Sequence, residues 1–312
     1  SSDEGMNAHL KSATVKTKEG IITSTQPVVA TFPAGNIESQ ELIVLQRENK
    51  ISFLRDVICH LNPSSKSEVE DTKQSKQIAF GSSNAPIKIT STRLDIEDVL
   101  KTATFTHNVK AYQAADTLAT PQMNVHFENR RQDLTNEQQN VNLNMQGANV
   151  KNIEVKDPFL ITRGQKEKIS GSTASFNTEE QIAHMQGNIV ITSLPDSRVT
   201  ADWAELNHKE DTALLTGNVI VFNGETVLKG QQLSVDRKKS RTILTSPALG
   251  SGPTGRITAH FVQKNSGLEK TSITPKQQKE TSSHFGIQEF KTTPNAPIDI
   301  EATSLDVEDL NK

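Results

Sequence analysis

A chain of 312 residues is long enough for one large domain or two ordinary ones, so core size does not limit the fold. Its residues are 33% hydrophobic and 4% aromatic, against roughly 45 to 50% apolar, glycine included, in typical globular domains; this excludes a thick compact globule and favours thin sheet with loose linkers. The net charge of −3, from 34 basic and 37 acidic residues that are spread rather than blocked, leaves no footprint for nucleic acid.

The chain begins "SSDEGMNAHL", with neither initiator methionine nor signal peptide, so a targeting or anchor segment is expected to lie outside this sequence. No stretch approaches the ~20 apolar residues of a membrane-spanning helix. Between Met6 and Leu61, "TVKTKEGIITSTQPVV" and "LIVLQRENKISFLRDVI" each read as strand, polar turn, strand. Cys59 lies on an alternating strand, "RDVICHL"; a lone cysteine forms no internal disulfide, and a buried, inert thiol is expected. "NPSSKSEVEDTKQSKQ", Asn62 to Gln77, is linker in composition.

From residue 85 to 262, "IKITSTRLDIED", "TPQMNVHFEN", "NIEVKDPFLIT", "GNVIVFN" and "QQLSVDRK" alternate apolar and polar residues and are punctuated by Gly, Asn, Asp and Pro. That is the pattern of half-buried antiparallel strands, and the fold class expected is all-β. A polar insertion, "NRRQDLTNEQQNVNLNMQGANVKN", separates the strands around Val125 and Val155 and reads as a loop or a wider hairpin. "DRKKSR", Asp236 to Arg241, reads as a solvated turn. Residues 263–295 are a second, flexible linker, and "APIDIEATSLDVEDLNK" at 296–312 repeats "APIKITSTRLDIEDVLK" from Ala85 with ten of seventeen positions identical. The chain is either a fragment of a longer tandem protein, or this last pair adds a strand to a sheet edge.

The strands recur in one register. In "DIEDVLKTATFTHNVKA", "SFNTEEQIAHMQGNIVI" and "ELNHKEDTALLTGNVIV", an apolar residue (Ile96, Phe176, Leu206) precedes a polar turn and a strand, with an asparagine twelve residues on (Asn108, Asn188, Asn218). Val44 leads to Asp56 and Val15 to Pro27 in the same frame. Asn tolerates left-handed backbone and Pro removes a ladder donor, so this position is expected to bend or end the pairing. His107 stands where the other copies have Gly187 and Gly217, and a stiffer bend is expected there. Units of this size cannot bury an apolar face alone and must stack on their neighbours.

No catalytic constellation emerges. The eight histidines (His9, His60, His107, His126, His184, His208, His260, His284) never take metal-ligand spacing with Cys or Glu. Asp95, Glu97 and Asp98 form an acidic cluster that the repeat frame assigns to a solvated turn. With no phosphate loop, no G-x-S-x-G elbow and no Cys/His pair, the chain reads as a binding protein without enzymatic activity, cofactor or metal.

The frame "ITADxLxxxxxxxxAxFxGNV", visible as "ITSTRLDIEDVLKTATFTHNVKA" and "VTADWAELNHKEDTALLTGNVIV", resembles the OstA/LptA family of periplasmic lipopolysaccharide-transport proteins between about Ala85 and Phe261. Met6 to Leu61 resembles the C-terminal part of LptC, the inner-membrane-anchored partner in that pathway. The resemblance implies an incomplete, V-shaped β-jelly roll of stacked antiparallel strand repeats. Its parts are an LptC-like half-sheet at 1–62, a linker at 63–84, an LptA-like jelly roll at 85–262, a linker at 263–295 and a second opening strand pair at 296–312. It also implies a periplasmic location, with an inner-membrane tether outside this sequence. The lipid A acyl chains of lipopolysaccharide are then expected in an apolar slot lined by Leu94, Ile96, Phe105, Val125, Phe127, Ile153, Val155, Phe176, Met185, Ile189, Leu206, Leu215, Val219 and Val235. Other Lpt-type jelly rolls are expected as partners, joined head to tail through edge strands, with "PIKITSTRL" and "GRITAHFV" as open edges and "KISFLRDVICHL" pairing with the former, within or between chains. The competing reading is a structural or adhesive β-repeat protein without a lipid slot. A carbohydrate-active solenoid enzyme would need its acidic residues converging on strands.

Overall fold

The computed structural model describes residues 6–32, 35–62, 85–128, 149–246, 255–261 and 298–308. Both expected linkers, and residues 129–148 of the polar insertion, lie outside the described residues; the insertion's last four residues, 149–152, are strand rather than loop. Among the described residues the fold is antiparallel strand with a 3-10 helix at Gln46–Glu48, and no helix is long and apolar enough to cross a membrane. Contacts divide the chain into two compact units, Ser1–Gln165 with Ser170–His184, and Lys166–Ile169 with Met185–Lys312.

The first unit starts with short strands: β1 (Asn7–Leu10), β2 (Thr14–Lys16), β3 (Ile21–Ser24), β4 (Val28–Phe32), β5 (Gly35–Ser39) and β6 (Glu41–Leu45). Long strands follow, β7 (Lys50–Leu61), β8 (Ile87–Glu97), β9 (Thr102–Gln113) and β10 (Asp116–Glu128), then β11 (Asn149–Val155) and β12 (Phe159–Arg163). Strand β7 pairs along its length with β8. On its other edge it divides, pairing Lys50 to Leu54 with β6 and Ile58 to Leu61 with β5. Strand β10 does the same: β9 lies along one edge, and the other is shared by β12 near Asp116 and β11 near Glu128. One meander therefore builds two sheet halves joined through their long strands. The tip half lies beside the four-residue turns such as "QREN", and the base half beside the tight turn at Ala114. "NIEVKDPFLIT", expected as one strand, is split into β11 and β12 at Asp157-Pro158 because its two ends serve different halves.

The split originates in backbone chirality. Paired residues with positive φ sit mid-strand in β7 (Arg55 60°, Asp56 51°) and β9 (His107 63°, Asn108 55°). After β13 (Glu167–Gly171) and β14 (Thr173–Asn177), they recur in β15 (Ile182–Ser193; Gly187 78°, Asn188 50°) and, past β16 (Ser197–Asn207), in β17 (Thr212–Asn223; Gly217 78°, Asn218 48°). Two left-handed residues interrupt the ladder, as the register shifts opposite them record, and turn the strand into the other half. The expected bends at Asp56, Asn108, Asn188 and Asn218 are all left-handed. At Pro27 the bend becomes a break, with β3 ending at Ser24 and β4 starting at Val28. His107 adopts the glycine conformation despite its Cβ.

The intervening strands β8, β10, β16 and, in the second unit, β18 (Thr226–Asp236) cross the fold without left-handed residues. Their inward residue at the crossing is small: Ser91, Thr120, Ala201 and Gly230, all buried. The Ser91 hydroxyl donates to the Arg93 carbonyl at 2.9 Å, and Thr120 to Gln122 at 3.2 Å. A Cβ on Gly230 would stand 2.7 Å from Leu244 Cδ1 and 3.1 Å from the Thr245 carbonyl oxygen, so Leu244 would have to shift to admit a larger side chain there.

In the second unit β18 pairs with β17 along one edge and divides on the other between β19 (Arg241–Thr245) and β20 (Ile257–Phe261). Beyond these lie β22 (Ser304–Glu308) on β19 and β21 (Ile298–Ala302) on β20. The 296–312 repeat thus adds a strand to the sheet, and "GRITAHFV", expected as an open edge, is covered by β21. The edge strand itself is the repeat.

Polar side chains serve the turns and outer faces. Asn177 Oδ1 accepts from the backbone N–H groups of Glu179 and Glu180 at 3.0 Å, and Asn207 Oδ1 from Glu210 at 2.9 Å. "DRKKSR" is a turn at Arg237–Ser240, as expected. The acidic cluster differs from expectation: Asp98 is in the turn, but Asp95 and Glu97 are in β8, where Ser52 donates to Asp95 at 2.5 Å and Lys50 to Glu97 at 3.0 Å. The frame misplaced them because the strand runs to Glu97 before turning. Burial pushes the Asp95 carboxyl up, but hydrogen bonds from Arg93 and Ser52 and the charges of Arg93 and Lys50 outweigh it and hold the carboxyl below its usual value.

Three expectations follow. Gly217→Ala forces a Cβ within 2.5 Å of Asp202 Oδ2 in left-handed backbone, and should cost about 1 to 3 kcal/mol in chemical denaturation; Gly224→Ala, left-handed but with open space around the Cβ, should cost about 1 kcal/mol. Burial raises the Cys59 thiol to about 12, so a thiol reagent at pH 8 should label it only at the rate of unfolding. Because the folded-state pKa of Asp95 is depressed, its contribution is present above the ordinary carboxylate range and lost as pH falls through the folded value; Asp95→Asn should flatten the acid limb of the stability profile.

A candidate apolar interior between two sheet halves

Alternation decides which side chains point inward, and register lines them up. In the tip half of the first unit, cross-strand partners form a continuous row: Val15, Ile22, Val44, Ile51, Ile96, Ala103, Val125, Ile153 and Phe176. These include the apolar residues that open the repeat frame. A second row, Leu42, Phe53, Leu94, Phe105 and Met123, runs beside it, nearer the crease. From Ile51 to Met123 both rows are buried. Among the described residues no helix lies over them.

The base half carries its own row: Ala8, Ala30, Ile37, Cys59, Ile89, Ala111, Leu118 and Ile161. Ile37, Cys59, Ile89 and Ala111 are at most 2% exposed. In the second unit the tip half aligns Leu206, Ala213, Val235, Thr242 and Val307, with Ala204, Leu215, Leu233, Leu244 and Leu305 beside them. Its base half aligns Val199, Val221, Leu228, Ala259 and Ile300.

Each of the fourteen residues named for the slot is buried, from fully enclosed Ile189, Leu215 and Val219 to Ile153 at 9% exposure. Leu94, Ile96, Phe105, Val125, Phe127, Ile153, Val155 and Phe176 belong to the first unit, and Met185, Ile189, Leu206, Leu215, Val219 and Val235 to the second. All but Ile189 and Val219 lie on the tip halves, before the left-handed bend or beyond the crease. The base-half row was missed, though one signal for it was present: Ile89, Ala111 and Leu118 alternate as regularly as their tip-half neighbours.

Charge is not confined to the outer faces: Arg163 and Glu167 are each 8% exposed, with Arg163 Nε 3.7 Å from Asp116 Oδ2. Next to the bend of the second unit, Asn218 Nδ2 donates to Asp202 at 2.7 Å. A hollow of about 200 Å³ beside them is lined by Lys229, Gln231 and Arg256. Among the described residues the rows named above are apolar except for Thr242, an arrangement suited to holding an apolar ligand or to packing the two halves together.

The family described as LptA/(LptD N-terminal domain) LPS transport protein matches the chain twice, at residues 88–199 and 198–308. A search of curated proteins returns no match. Among solved structures, LptH, the LptA-homologous periplasmic component of the lipopolysaccharide transport device of Pseudomonas aeruginosa, aligns at 11% identity and a TM-score of 0.30, over 48% of this chain and 83% of its own. The two family matches together span well over half of the sequence: the chain belongs to the LptA and LptD N-terminal domain family of lipopolysaccharide-transport proteins.

Proposed function

We propose that this protein binds and passes on lipopolysaccharide without chemistry, taking the lipid A acyl chains between the tip and base halves of each unit. The observation that carries the reading is the set of largely apolar rows lining both halves, in a chain whose family is one of lipopolysaccharide transport. Each methylene moved from water into such an interior gains about 0.8 kcal/mol. Because the halves are joined along the crease by their long strands and by small residues there, they can part on the opposite side while the ladders stay intact. An acyl chain entering there exchanges one set of apolar neighbours for another, and a slot of this form lets its ligand slide.

The reading places the protein in the periplasm, tethered to the inner membrane by a segment outside this sequence, with residues 1–62 acting as an LptC-like half-sheet and 85–262 as the LptA-like jelly roll. The pairing of β7 with β8 supports a direct continuation of one into the other. Other Lpt-type jelly rolls then add head to tail by strand pairing at the remaining edges.

A photo-crosslinking amino acid tests the interior. At Phe176, Leu206 or Leu215 it should capture lipopolysaccharide, while at the exposed turn residues Glu179 and Lys209 it should not. Equal labelling at the two sets would overturn the proposal.

A further inference from the structure

We propose that an inward-facing ion pair, Asp116 with Arg163, forms a charged floor that ends the apolar interior of the first unit and sets how far an acyl chain reaches into its base half. This depth limit rests on the reading that acyl chains occupy that interior. It gives the pair a part in selecting chain length.

The floor follows from register. One step below the row of Ile89, Ala111, Leu118 and Ile161, about 7 Å along the strands, the next inward row runs through Leu61, Ile87, Gln113, Asp116 and Arg163. It is apolar on β7 and β8 and becomes polar on β9, β10 and β12. Gln113 is 4% exposed and Arg163 8%. Arg163 Nε lies 3.7 Å from Asp116 Oδ2, and the Gln113 amide donates to the Ala85 carbonyl at 3.1 Å. The Gly164 N–H donates to the Ala115 carbonyl at 3.1 Å, which fixes the end of β12 against the turn between β9 and β10. The polar row is therefore held in place by its own bonds and by the backbone beside it.

The second unit has the same frame without the charges. "DTLATPQMNV" from Asp116 aligns without a gap on "TVLKGQQLSV" from Thr226, and Leu118 pairs with Ile161 as Leu228 pairs with Ala259. Thr226 thus holds the place of Asp116, and Phe261, two residues beyond Ala259, holds that of Arg163. Phe261 is buried. An inward phenyl ring offers a methylene group apolar contact. A methylene set against the ion pair instead displaces the polar surroundings of both charges and replaces them with nothing, which is costly for buried ions. Acyl chains stop at Ala111 and Leu118 in the first unit and run on to Phe261 in the second.

The test uses lipid A whose acyl chains carry a photoreactive diazirine at the terminal carbon. It is bound to the full chain and irradiated, and the labelled residues are mapped by peptide mass spectrometry. In the wild type, label is expected at Ala111 and Leu118 of the first unit, with at most a trace at Gln113 and Arg163, and as far as Phe261 in the second. Asp116→Thr with Arg163→Phe gives the first unit the residues of the second and removes both charges together, so that neither is left buried alone. Label in the floor row of the first unit should then rise about tenfold, the affinity gained from roughly two further buried methylenes. The label in the second unit should stay unchanged, an internal control of folding. Asp116→Asn with Arg163→Met, which removes the charges with less change of shape, should move the label in the same way. Strong label at Asp116 or Arg163 in the wild type, or a pattern that neither pair of substitutions moves, would overturn the floor while leaving the interior occupied. Label absent from both interiors would instead overturn the occupancy on which the floor rests, and the floor with it.

Discussion

The left-handed pair in alternate strands is the constraint on which everything else rests. A straight meander of these sequences would be a single sheet with one apolar face open to water, and strands of eleven to thirteen residues would bend only gently under ordinary twist. Two consecutive residues at positive φ cost about 1 to 2 kcal/mol each for side chains other than glycine and asparagine. They persist because each pair converts one strand into two segments that carry their apolar residues to facing halves. Fully burying one Leu, Ile or Phe gains roughly 1.5 to 3 kcal/mol, and a strand such as β9 buries Ala103, Phe105, Val109 and Ala111 across its bend. The strain is thus offset within the strand that bears it.

The bend dictates the chemistry of its neighbours. Strands opposite the left-handed pair cross where the halves come closest, which is why Ser91, Thr120, Ala201 and Gly230 occupy equivalent places. Where the residue has a hydroxyl, enclosure would leave it unpaired, and donation to the carbonyl two residues on resolves this without a partner from another strand. Ser39 makes the same bond to Glu41, at 2.9 Å, where β5 gives way to β6. On the outer side, Asp202 closes over Gly217 and accepts from Asn218; the contact leaves no room for a Cβ at Gly217. His107 takes the same backbone where Thr92 replaces the aspartate in the frame, so the departure from glycine comes with a change in what faces it.

Strand identity, the turns and the bends were legible in the sequence because each depends on local features: period-two alternation, polar tips and a residue that tolerates left-handed backbone. The fourteen interior positions were legible for the same reason, since alternation alone assigns their face. What was not legible is the division of labour along each strand. Nothing local in "NIEVKDPFLIT" says that Val155 belongs to one half and Phe159 to the other, and nothing in "LDIEDV" says that Asp95 will meet Ser52 from a segment more than forty residues earlier. Those facts arise from register across strands, set by the shifts at each bend. The first unit's base-half row was overlooked for a related reason: in β8 the inward positions change parity at the crease, from Ser91 to Leu94, so a single alternation cannot be extended through it, whereas in β9 Phe105 and Val109 keep one parity across the bend.

The repeated segment separates what sequence decides from what neighbours decide. Ile89, Leu94 and Ile96 in β8 are at most 2% exposed; their counterparts Ile300, Leu305 and Val307 in β21 and β22 point the same way but are half-buried. The first set lies between β7 and β9, whereas among the described residues β21 and β22 pair on one side, with β20 and β19. Alternation fixed the face in both; the second neighbour completes the burial. The terminal strand is held instead by its ladder, by ion pairs from Arg241 to Asp306 at 2.5 Å and Arg256 to Glu301 at 3.0 Å, and by a hydrogen-bond contact of His260 Nδ1 with Asp299 at 2.7 Å. Exposed pairs of this kind contribute about 0 to 1 kcal/mol each, less than the burial that β8 gains. They also set identity: β8 carries Lys88 and Thr90 where this strand carries Asp299 and Glu301, so β8 would leave Arg256 and His260 facing no acid. Charge therefore distinguishes two strands that the apolar pattern makes equivalent, and it does so at the edge, where backbone pairing alone is indifferent to sequence.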